Sequence, residues 1–129
     1  IKKINSKRKK ICQYYNKGLG NIKGIDVPEL FPNNGEHSYH LYIIQTGKKF
    51  GLSRDSLVKK LKTSGITTTV HYKPLHKFSV MKEYAKIYDK LNNSKHAYKE
   101  ILSLPLYLGL TLKQQDYVIN QIKNIQRRH

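Results

Sequence analysis

Apolar residues recur along this chain at two spacings, one helical and one extended, and their alternation sets out the predicted elements. Ile4, Ile11, Tyr15 and Leu19 lie near one face of a helix over residues 1 to about 19, which Gly18 or Gly20 ends. Gly24 to Glu36 carries Pro28, Pro32, Asn33, Asn34 and Gly35 and reads as mostly turn. From His37 to Gln45 the pattern is that of a strand, with Tyr39, Leu41 and Ile43 on one face and His40, Tyr42 and Ile44 on the other. Both faces are then at least partly covered. Ser53 stands as the N-cap of a short helix with the stripe Leu57, Val58 and Leu61, and Gly65 ends it. Ile66 to Tyr72 predicts a second strand. Met81, Tyr84, Ala85, Tyr88 and Leu91 predict an amphipathic helix, and Ala97, Tyr98 and Ile101 another. Leu102 to Tyr107 reads as a short strand in which Pro105 argues for an edge or an early end. Thr111 and Gln114 form a capping box for a last helix that buries Val118, Ile119, Ile122 and Ile125.

Strands and helices interleave within 129 residues, enough for one domain of ordinary size. The fold class expected is therefore α+β, a small sheet of about three strands with helices packed on it. The chain begins with Ile1 rather than Met, and we expect it to be cut from something longer. Leu41-Tyr42-Ile43-Ile44 is typical of the longest apolar runs, far short of the roughly 20 residues a transmembrane helix needs. The basic N-terminus has no apolar segment behind it, so it is not a secretory signal. Cys12 is the only cysteine and cannot close an intrachain disulfide, which suits a reducing, cytoplasmic setting.

The formal charge of +17 raises the prospect of a polyanionic partner such as nucleic acid. Arg8, Arg54, Arg127 and Arg128 are four of the 25 basic residues, leaving 21 lysines. Arginine is the better tool for bidentate phosphate or guanine contacts, and it is scarce here. The lysines are scattered apart from Lys7-Arg8-Lys9-Lys10, so biased composition is the simpler account. The ten tyrosines could stack single-stranded bases. Tyr15, Tyr84, Tyr88 and Tyr117, however, sit near helical stripes and serve the core or its rim.

Chemistry concentrates in Val70-His71-Tyr72-Lys73-Pro74-Leu75-His76, where a predicted strand ends. His71, Tyr72 and His76 can each donate and accept, Lys73 is a point charge suited to phosphate, and Pro74 stiffens the turn. On local chemistry alone a ligand site and a solvated turn fit equally well. A metal does not: His71 and His76 have no helical or CxxC-type spacing, and His37 and His40 point to opposite faces of a strand. None of the serines sits in a GxSxG elbow, Cys12 has no evident His beside it, and no phosphate-cradling loop appears. No complete catalytic set is present, and an interaction domain whose turn does nothing stays open.

The order of motifs resembles a known family. His40-Leu41-Tyr42, Arg54-Asp55-Ser56-Leu57, Leu61-Lys62-Thr63-Ser64-Gly65-Ile66-Thr67-Thr68, His71-Tyr72-Lys73-Pro74-Leu75-His76 and Leu102-Ser103-Leu104-Pro105-Leu106 follow one another over essentially the whole chain. This is similar to the C-terminal part of the DegT/DnrJ/EryC1/StrS sugar aminotransferases. The resemblance implies a type I aminotransferase small domain over residues 21–129. Residues 1–20 would end a linker helix from a pyridoxal-phosphate (PLP) domain. It implies transfer of an amino group from glutamate to a nucleotide-linked keto sugar, usually for surface polysaccharide or an antibiotic, by a full-length homodimer. The Schiff-base lysine of the family precedes a Gly-Gly pair, and this chain has no Gly-Gly. The resemblance thus leaves no catalytic residue and no bound cofactor here, and the chain is expected to be inactive alone. It implies that His71, Tyr72 and His76 shape the sugar-nucleotide pocket while Lys73 offsets phosphate charge. A basic nucleic-acid-binding module is the alternative, to be distinguished by steep loss of polyanion binding with salt.

Overall fold

The computed structural model describes residues 1–30, 37–84 and 90–128. The element order is α1 (Lys2–Leu19), β1 (Ile25–Asp26), β2 (Tyr42–Thr46), α2 (Arg54–Thr63), α3 (Ser79–Tyr84), α4 (Asn92–Glu100), β3 (Ile101–Leu104) and α5 (Leu112–Arg127). The strands form one antiparallel sheet in the order β1-β2-β3. Tyr42 lies opposite Leu104 and Ile44 opposite Leu102, so one face of the ladder is aromatic and aliphatic. That face joins the buried stripes of α1, α2 and α5 in a single core. Between them, Ile43 lies opposite Ser103, which puts Ser103 on the other face.

The local signals that hold are those with a mechanism. Ser53 Oγ accepts the Ser56 N–H at 3.2 Å and starts α2. Thr111 Oγ1 accepts the Gln114 N–H at 3.2 Å while Gln114 Oε1 accepts the Thr111 N–H at 2.9 Å, the reciprocal pair of a capping box. Val118, Ile119, Ile122 and Ile125 of α5 are buried as expected. On α1 the buried residues are Ile11, Cys12, Tyr15 and Leu19, whereas Ile4 is exposed. Gly18 lets α5 approach α1: a Cβ there would lie 2.5 Å from Ile119 Cδ1. Tyr15 and Tyr42 stack with centroids 4.8 Å apart. Tyr42 donates to Asn16 Oδ1 at 2.7 Å and Tyr15 to the Pro105 carbonyl at 3.1 Å. Each buried phenol therefore keeps a hydrogen-bond partner, as burial requires.

The sheet has its expected size but different members. β2 starts at Tyr42 rather than His37, because Tyr39 adopts φ 46° and donates its N–H to His37 Nδ1 at 3.0 Å. A local side-chain bond and a left-handed residue break the extended run. Residues 66–72 are not a strand but a segment beside β3, bridged only between Thr69 and Ser103. The third strand is instead Ile25–Asp26, inside the segment read as turn, and Gly24 with φ 80° precedes it. β3 spans Ile101–Leu104 and stops at Pro105, which cannot donate to a ladder. The helix expected through Leu91 is seen as Ser79–Tyr84, and Leu91 itself, with φ 52°, starts α4. Ala85 and Tyr88 of that expected helix, and the turn residues Pro32 to Gly35, lie outside the described residues. The helix through Ala97 and Tyr98 ends at Glu100, one residue before Ile101 enters β3.

Candidate functional site

The polar stretch is held along the edge of β3 that does not pair with β2. Thr69 and Ser103 exchange backbone hydrogen bonds, Ser103 N–H to Thr69 O at 2.8 Å and Thr69 N–H to Ser103 O at 3.2 Å. Two residues on, His71 Nδ1 lies 2.8 Å from the buried Ser103 Oγ. The hydroxyl can serve either tautomer of the ring, because it both donates and accepts. Three contacts to one serine thus fix where the chain leaves the sheet and how the imidazole is turned. The alternation of β3 explains this: Leu102 and Leu104 enter the core and leave Ser103 facing the polar stretch.

Beyond His71 the chain turns outward. The His71–Tyr72 peptide bond is cis, and the two rings meet edge to face with centroids 4.8 Å apart. Tyr72 is 69% exposed, so its hydroxyl is free to meet a ligand or another surface. Pro74 precedes a single 3-10 turn over Leu75–Lys77, closed by the Lys77 N–H to the Pro74 carbonyl at 2.9 Å. Lys73 Nζ lies 4.7 Å from the centroid of the Phe78 ring, within cation–π range. His76 Nε2 is buried and has no hydrogen-bond partner among the described residues.

The four expected site residues do not form one cluster. Lys73 and His76 line a cleft of about 580 Å³ together with Lys77 and with Lys95, Tyr98 and Lys99 of α4. His71 is anchored on β3 and Tyr72 projects to solvent; neither lines that cleft. Ser103, which stands within the motif Leu102-Ser103-Leu104-Pro105-Leu106, was given no part in the site by sequence reasoning. The signal was the alternation Leu102-Ser103-Leu104, which sets one polar side chain against the core pattern. The lysines of α4 escaped notice because nothing local marks them among 21.

Arg54 plays a supporting part. Buried, it donates from Nη1 to the Ile101 carbonyl at 3.1 Å, pairs through Nε with Asp55, and lies 5.6 Å from the centroid of Tyr98. It ties the start of α2 to the junction of α4 and β3, which carries one wall of the cleft. A roomier cavity of about 620 Å³ lies between Gly65–Thr67 and α5. Its lining includes no His, Cys, Asp or Glu, so it offers no set of metal ligands. Among the described residues no three metal-ligating side chains come together, and no helix is long and apolar enough to cross a membrane.

Comparison with known proteins gives this geometry a context. The sequence model of the DegT/DnrJ/EryC1/StrS aminotransferase family matches residues 1–123. The spore coat polysaccharide biosynthesis protein SpsC of Bacillus subtilis is 30% identical over 125 residues, covering 95% of this chain and 32% of SpsC. The structure of S. venezuelae DesV in complex with a ketimine intermediate superposes with a TM-score of 0.85 at 26% identity, over 99% of this chain and 33% of DesV. That of Bacillus subtilis NtdA with bound cofactor PMP superposes with a TM-score of 0.77 at 27% identity, over 95% of this chain and 28% of NtdA. The chain therefore spans about a third of the length of the relatives it matches.

Proposed function

This chain belongs to the DegT/DnrJ/EryC1/StrS aminotransferase family, and from that membership we propose that it is the small C-terminal domain of a PLP-dependent sugar aminotransferase. The observation that carries this reading is the match along residues 1–123 by a chain one third the length of its relatives. The activity proposed for the whole protein is transfer of an amino group from glutamate to a nucleotide-linked keto sugar, in the cytoplasm, by a homodimer. Polysaccharide assembly is the setting that the name of SpsC suggests.

PLP supplies the electron sink for such a transfer. The residues of this chain do not fit its anchoring site. No lysine whose side chain is described is buried, and no lysine precedes a Gly-Gly pair. We assign the Schiff-base lysine and the acid facing the ring nitrogen to a preceding domain. Residues 1–20 would be the end of the linking helix and residues 21–129 the small domain. By itself the chain then carries out no transfer and takes no cofactor.

The role left to these residues is to receive the substrate. His71, oriented by Ser103, and the exposed Tyr72 offer donors and acceptors to sugar or phosphate oxygens. Lys73 offsets phosphate charge from the flank, and His76 brings an unsatisfied ring nitrogen to the same wall. Full-length protein incubated with PLP, glutamate and a panel of nucleotide-linked keto sugars tests the reading. Formation of 2-oxoglutarate and amino sugar in equal amounts is the expected result. No product from any member of the panel overturns it.

A further inference from the structure

Lys73 and Lys77 reach one cleft from the turn that follows the substrate-binding stretch, and Lys95 and Lys99 reach it from α4. None of the four pairs with a carboxylate among the described residues. Lys95 and Lys99 are four residues apart on α4, a like-charge spacing that works against the helix. Local contacts place three of these ammonium groups. Lys77 Nζ lies 4.6 Å from the centroid of Tyr98, Lys73 Nζ lies over Phe78, and Lys95 Nζ donates to the Lys90 carbonyl at 2.6 Å. His76 adds a buried ring nitrogen without a partner. Uncompensated charge facing one cavity is unfavourable in the free protein and is relieved when an anion enters.

We infer that this cleft receives the diphosphate of the nucleotide-linked substrate, and that Lys95 and Lys99 of α4 set the affinity for it. The inference rests on the aminotransferase reading above for the identity of the ligand. Lysine ammonium groups are point charges that pair with the oxygens of a phosphate. At about 580 Å³ the cleft has the size of small-ligand sites. It shares Lys73 and His76 with the substrate-binding stretch, so a sugar near His71 and Tyr72 leaves its diphosphate beside α4.

The test uses the full-length protein and titrates UDP, dTDP and uridine by calorimetry. The variants are K95Q/K99Q, the charge-keeping K95R/K99R, and K59Q/K62Q on α2, whose two lysines do not line the cleft. Removing both α4 charges is expected to weaken UDP or dTDP about tenfold. Restoring the charge as arginine returns affinity to within about twofold, and uridine, which lacks phosphate, binds all variants alike. Diphosphate affinity unchanged in K95Q/K99Q overturns the proposal. So does an equal loss in K59Q/K62Q, which would reflect the overall field of the protein. If K95Q/K99Q loses diphosphate affinity yet the enzyme aminates no nucleotide-linked sugar, the aminotransferase reading falls and the cleft stands. If amination proceeds with an unchanged KM in K95Q/K99Q, the cleft falls and the reading stands.

Discussion

His71 Nδ1 lies 2.8 Å from the Oγ of Ser103, a buried serine on the strand face turned away from the core. The sheet thereby aims an imidazole that the turn could not hold by itself. Ser103→Ala removes the hydroxyl and leaves the backbone bridge to Thr69 in place. A double-mutant cycle with His71→Ala in the full-length enzyme, read as kcat/KM for the nucleotide sugar, should give a coupling of about 1 kcal/mol. Additive effects of the two substitutions would mean that the contact does not orient the ring.

The stacked phenols predict a specific loss of stability. Tyr42→Phe keeps the ring packed on Tyr15 but removes the bond to Asn16 Oδ1. An unpaired polar atom in that position costs about 1–3 kcal/mol. Urea denaturation monitored by circular dichroism measures it, and a variant as stable as the parent contradicts the hydrogen-bonded arrangement. Leu57→Ala or Leu61→Ala, in the same core, should cost about 2–5 kcal/mol through the cavity left behind.

Burial pushes the Cys12 thiol up from its usual 9.0 to about 11, and pushes the Tyr15 and Tyr42 phenols up as well. Because the folded state keeps this proton after the unfolded chain has released its own, rising pH favours the unfolded chain. In the usual accounting, the advantage of the neutral thiol is intact below pH 9 and is lost as pH rises through about 11. Alkaline conditions should therefore unfold the domain through these groups. Each titrates with a slope of up to about 1.4 kcal/mol per pH unit. Denaturant midpoints measured across that range should fall, and Cys12→Ala should flatten the part of the fall that begins near pH 9. A Cys12→Ala profile identical to the parent's contradicts this.

The capping box of α5 predicts a smaller effect. Thr111→Ala removes the acceptor for the Gln114 N–H and should cost about 1 kcal/mol. Thermal denaturation of this variant against the parent checks it, and an unchanged midpoint would show that the first turn finds other partners.

How much of this was legible in the sequence depends on the range of each interaction. The caps at Ser53 and Thr111, the stripe of α5 and the stop at Pro105 are local, and all are present. The segment 66–72 shows what local pattern cannot give. Its β-branched residues suit a strand, but only Thr69 reaches a partner, and which edge receives it is settled by packing far along the chain. Ile25–Asp26 took the third place in the sheet because Gly24 folds it back onto β2, its N–H-accepting carbonyl meeting Gly47 at 2.9 Å. Of the site, the residues His71, Tyr72, Lys73 and His76 could be singled out by chemistry. Their division between β3, solvent and a cleft beside α4 could not, since Ser103 and Lys99 lie some thirty and twenty-odd positions away.

The central proposal is that this domain holds the substrate. The direct measurement is kcat/KM for the nucleotide-linked keto sugar in the full-length enzyme carrying His71→Ala or Tyr72→Phe. The predicted result is a fall of about 10- to 100-fold for His71→Ala and a smaller one for Tyr72→Phe, with the glutamate half-reaction less affected. Values unchanged in both variants would contradict it.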